Sequence, residues 1–63
     1  MMDENRVLLT AEKLAVSHIN LTEAIYAALD YSYCYNDGSD GYLFWNSVRD
    51  KLVKMRKEEE AGI

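Results

Sequence analysis

Cys34 and His18 are the only thiol and the only imidazole in the chain. Together they are the one pairing here that could support nucleophilic catalysis. Both fall in a stretch with helical periodicity, which separates them by about four turns, so they can meet only if two copies lie antiparallel. No second histidine and no glycine-rich phosphate loop accompanies them. A structural zinc ion wants four ligands, and one cysteine forms no internal disulfide. The chain is therefore expected to be no enzyme and to carry no metal or cofactor. Cys34 is expected to act as a small buried apolar residue. His18 is expected to act as a polar residue that sets register.

Two further motifs invite chemistry. Asp37 to Gly41, "DGSDG", looks like the start of a calcium loop, but the twelfth position lacks its glutamate and the ligand spacing does not fit. Arg49, Lys51, Lys54, Arg56 and Lys57 could follow a phosphate backbone. Against that, the net charge is −4, Asp50 and Glu58 to Glu60 interrupt the run, and no helix-turn-helix or zinc-finger spacing is present. The run is expected to be a solvated helix face, with nucleic-acid contact as the alternative.

The aromatic residues are the strongest signal. Six of the seven fall in "YSYCYNDGSDGYLFW", residues 31 to 45. Trp45 and Phe44 are expected to seal an open end of the fold, since each large ring buries on the order of 150–250 Å². Residues 31, 33 and 35 point in different directions on a helix, so some tyrosines must stay outside. Tyr31, Tyr33, Tyr42 and Trp45 are thus the candidate partner-binding residues, being of the types enriched at interface hot spots.

The elements that position these residues are helical. There is no proline, and the three glycines lie at 38, 41 and 62. Val7, Ala11, Leu14, His18, Leu21, Ile25, Ala28, Ser32 and Tyr35 recur at alternating steps of four and three, a heptad seam. Leu8, Ala15, Ile19, Thr22, Tyr26, Leu29 and Tyr33 form a second row beside it. The expected fold is all-α, an antiparallel helical hairpin with one long helix over about 5–35 and a second over about 40–58. Asn20 with Glu23 has capping-box spacing and offers a three-helix alternative. The seam runs through that site without a slip, which favours the single helix. Asn36 or Gly38 can end the first helix, and Ser39 or Asp40 can cap the next. A hairpin tip of two strands, from the alternating tyrosines and "YLFW", is the competing local reading. Glu58 to Glu60 put negative charge at a helix C-terminus, so residues 58–63 should form a frayed tail.

At 63 residues the chain makes one domain, 1–63, with little room for a core. Disulfide and metal being excluded, self-association is the remaining source of stability. Two hairpins docked as a four-helix dimer would bury the broad apolar face. Leu14, His18, Leu21, Ile25, Val48 and Leu52 are the expected self-association residues. Charge is uneven: residues 1–40 carry seven acids and two bases, and residues 41–63 carry five bases and four acids. Such asymmetry suits association between copies or a local basic face. "MMDENR" does not open a secretory signal, and no apolar run approaches the ~20 residues of a membrane span. A cytosolic protein with no membrane partner is the expectation.

The stretch Leu29 to Leu52, "LDYSYCYNDGSDGYLFWNSVRDKL", joins an aromatic helix end, a glycine-containing polar turn and a Trp-x-x-Val helix. With the length and acidity, it resembles small accessory proteins of lambdoid phages, the family of the 63-codon reading-frame product in the exo–xis region of lambda and Shiga-toxin phages. That resemblance implies an early-expressed protein of the host cytoplasm that binds a host bacterial protein and influences lysis, lysogeny or prophage induction. It implies no catalytic residue.

Overall fold

The computed structural model describes residues 3–61, and these form three helices with no strand among them. Helix α1 spans Glu4–Ser17, α2 spans Leu21–Ser32 and α3 spans Asp40–Ala61. The fold is all-α, as the periodicity predicts. The single long helix is not formed, and the tyrosines at 31, 33 and 35 do not make a strand.

The break lies at His18–Asn20, where the capping residues allow it. Ser17 Oγ donates to the Lys13 carbonyl at 2.6 Å, and His18 Nδ1 lies 2.8 Å from the Leu14 carbonyl. A carbonyl only accepts, so Nδ1 carries the proton. Both side chains thus bond back to carbonyls in the last turns of α1. The backbone turns extended at His18 (φ −116°, ψ 159°) and Asn20 (φ −153°, ψ 172°), and Asn20 Oδ1 accepts from the Glu23 N–H at 2.9 Å. His18 is therefore a helix cap, not a register-setting residue on a seam.

Burial explains why the break wins over an unbroken seam. A straight helix over 5–35 would be about 46 Å long, beyond the 38 Å long axis of the molecule. A second helix over 40–58 is only about 28 Å long, so the rest of that apolar side would face no partner from its own chain. Folding α1 back places Val7 and Ala11 in one core with Ala24, Ile25, Ala28, Val48 and Leu52. Leu14, Ala15, Leu21, Phe44, Trp45, Val53 and Met55 pack around it. The contact of α2 with α3 is the most extensive, and α1 lies against both. The cap makes a clear prediction. Asn20→Ala should destabilise the protein by about 1 kcal/mol, read as a lower melting temperature by circular dichroism. An unchanged melt would mean the cap is not what holds the break.

The α2–α3 connection winds down through Tyr33–Ser39. Cys34 N–H bonds to Tyr31 O and Tyr35 N–H to Ser32 O, both at 3.2 Å, tightening the helix end without a left-handed residue. Asn36 O then accepts from Ser39 N–H at 3.0 Å, and Gly38, at φ 80°, takes the turn position that needs a positive angle. Ser39 caps α3, its Oγ accepting from the Tyr42 N–H at 3.3 Å. At its far end α3 continues through Glu58–Glu60 to Ala61, past the expected end near 58. Of the expected frayed tail, 62 and 63 lie outside the described residues.

Candidate functional site

The aromatic residues collect where the loop meets the start of α3. Trp45 is the hub: the Tyr31 ring lies over it with centroids 4.6 Å apart and planes tilted by 32°. Phe44 meets it edge-on at 5.3 Å and 86°. Both geometries suit the quadrupoles of the rings. Helical spacing along α3 places Trp45 on the side of Val48 and Leu52. Trp45 is thus tied to the core below and half-exposed above.

Beside this cluster lies a cleft of about 650 Å³, lined by Asp3, Arg6, Tyr35, Asp40, Gly41, Leu43, Phe44 and Trp45. Its volume is that of a ligand or side-chain pocket. Tyr35 is positioned by close approach to the first turn of α3: a Cβ on Gly41 would sit 2.7 Å from Tyr35 Cγ. Only glycine admits the ring there. Arg6 makes no ion pair among the described residues, and Asp3 is occupied in capping α1 through the Asn5 N–H at 2.9 Å. The cleft can grip a protruding apolar or aromatic side chain between ring walls, with the Arg6 guanidinium and the Asp40 carboxylate in its lining.

Of the four partner-binding candidates, Tyr31 and Trp45 are brought together and Tyr42 is half-buried in the first turn of α3. Tyr33 stands apart, 73% exposed on the outer side of α2. Sequence reasoning did not single out Tyr35, Phe44, Asp3 or Arg6 as site residues. The Tyr35–Gly41 pairing left a signal, a glycine inside a helical stretch; the approach of α1 left none.

The expected self-association residues lie elsewhere. Ile25, Val48 and Leu52 are buried within one chain, Leu14 and Leu21 pack on the same core, and His18 caps α1. Folding α1 back gives Ile25, Val48 and Leu52 partners in the chain itself, while Leu14, His18 and Leu21 stay part-exposed. Cys34 is exposed, not buried, with Sγ 3.8 Å from the Asp30 carbonyl; the helix end places it on the wet side.

The basic run does not make one face. Arg49, Lys51, Lys54, Arg56 and Lys57 spread over roughly 220° of the helix circumference. Arg49 is bonded to its neighbour Asp50 at 2.8 Å. Lys51 and Lys54 border a second hollow of about 410 Å³ together with Glu4 and Asp50. Arg49, Lys51 and Lys54 thus have acids nearby, and the spread of the run weakens any continuous phosphate track. Among the described residues no cluster of His, Cys, Asp and Glu could hold a metal, and no helix is long and apolar enough to cross a membrane. Set against known proteins, the sequence matches no family model, no curated protein and no solved structure.

Proposed function

We propose that the chain is a non-enzymatic adaptor that grips a protein partner with the aromatic cleft at the head of α3. One observation carries this reading: ring walls from Tyr35, Phe44 and Trp45 stay open to solvent in a protein with little apolar area to spare. The accessible surface is 4707 Å², against about 4,200 Å² for a compact monomer of this mass. The radius of gyration, 11.5 Å, likewise exceeds the roughly 10.6 Å of a compact chain this long. Surface left out in this way is what binding covers.

The lambdoid-phage resemblance supplies a setting: an accessory protein of the host cytoplasm that binds a host protein and shifts the balance between lysis and lysogeny. In this proposal α2 and α3 form an antiparallel hairpin crossed by α1. With Ile25, Val48 and Leu52 taken up by the core, self-association would use another surface. A second copy would meet the outer face of α1, where Leu9 and the 85% exposed Val16 stand one heptad apart. Glu12 and Lys13 give that face both signs of charge, so it complements itself.

The test is capture of a partner from bacterial lysate with and without nuclease, comparing the native chain with Tyr31→Ala/Tyr35→Ala and Lys51→Ala/Lys54→Ala. A protein retained after nuclease, and lost only with the two tyrosines, supports the cleft. Loss with the lysines, or with nuclease, would favour the DNA-associated reading through the basic helix.

A further inference from the structure

We infer that the outer face of α2 is a docking seam for an amphipathic helix with basic flanks. The residues are Ile19, in the elbow before α2, and then Thr22, Tyr26, Leu29 and Tyr33, which follow one another at steps of four, three and four. That is the spacing of a coiled-coil seam. None of the five is buried in the core, and Ile19, Tyr26 and Tyr33 are 96%, 58% and 73% exposed. This row shares the long heptad pattern with the core row, but the core takes only the other side of α2, through Ala24, Ile25 and Ala28. A seam without a partner remains.

Charge selects the occupant. Glu23 and Asp30, both exposed and one heptad apart, are the only charged residues of α2. They fall beside the seam, at the flanking positions that decide partner choice in coiled coils. A second α2 packed antiparallel on the first would bring the same acidic flank against itself. Lysine or arginine on the flanks of a different helix would meet both carboxylates. The two tyrosines give the seam large, rigid anchors of the kind that dominate interfaces.

The inference rests on the reading above that the chain binds protein, but uses a different surface. The probes are two synthetic helical peptides of about three heptads with leucine at both seam positions, one with lysine and one with glutamate at the flanking positions. Affinities are measured on the full chain by fluorescence anisotropy and the site by amide chemical-shift perturbation. The lysine peptide should bind at least about tenfold more tightly than the glutamate peptide and perturb residues 19–33. Tyr26→Asp/Tyr33→Asp should abolish binding with the helical spectrum unchanged. Glu23→Gln/Asp30→Asn should reduce the preference to about threefold or less. Equal or absent binding, or shifts confined to the cleft of Arg6, Tyr35 and Trp45, would overturn it. So would a dimer of the chain alone that Tyr26→Asp/Tyr33→Asp converts to monomer, because a second copy would then own the face. Lysate capture that fails while the lysine peptide binds refutes the cleft reading alone; the reverse result refutes only the seam.

Discussion

Leu52→Ala should leave the chain without a cooperative thermal transition at 25 °C. Leu52 is fully buried and is the largest side chain to be so. It belongs to the one core cluster, to which all three helices contribute. Replacing a buried leucine with alanine costs about 2–5 kcal/mol, through lost transfer free energy and the cavity left behind. A single small core rarely supplies more than about 3–5 kcal/mol in total, so the substitution removes most of what there is. Lys57→Ala provides the control: Lys57 is exposed on α3, and such surface changes stay within about 0.5 kcal/mol. Circular dichroism at 222 nm checks both. A Leu52→Ala protein that melts close to the native temperature would mean that the helices are held by something other than this core.

The second large effect comes from adding atoms. Ala11, Ala24 and Ala28 are all fully buried, so three of the seven core side chains are single methyl groups. Alanine at a helix contact allows axes to approach toward the low end of the 8–10 Å range. Ala28→Leu inserts three carbons where α2 meets its neighbours, and overpacking of this kind costs about 1–3 kcal/mol. In a domain this small each kcal/mol shifts the melting temperature by about 4–8 °C. A fall on the order of 10 °C is therefore expected. A rise in melting temperature would reveal a void along α2 that the close-packed reading denies.

How much of this was legible in the sequence differs from residue to residue. Val48 and Leu52 were readable as one face of α3, because their spacing has no other use. Side-chain chemistry narrowed the cap to Ser39 or Asp40 and the left-handed position to Asn36 or Gly38, and the turn geometry takes Ser39 and Gly38. The elbow at His18–Asn20 was visible too, as the Asn20–Glu23 spacing. The heptad rows argued against it, since they cross the elbow in register. What decides between the two is whether Val7 and Ala11 find partners in the same chain, a tertiary question that local periodicity cannot answer. Likewise, nothing between Arg6 and Trp45 in the sequence announces that they border one cleft. The exposure of Cys34 followed from where α2 ends, which the aromatic run around it obscured.

The contact of Tyr35 with Gly41 has a practical consequence. The Gly41 hydrogen that stands where a Cβ would be is directed at the Tyr35 ring, whose Cε1 lies 2.5 Å from that Cβ position. The circulating π electrons of the ring must displace the resonance of this proton from its ordinary position. The same ring forms one wall of the cleft, so anything that enters and moves it will shift that signal. The molecule therefore contains its own spectroscopic gauge of cleft occupancy, readable by NMR with no label attached and no residue changed.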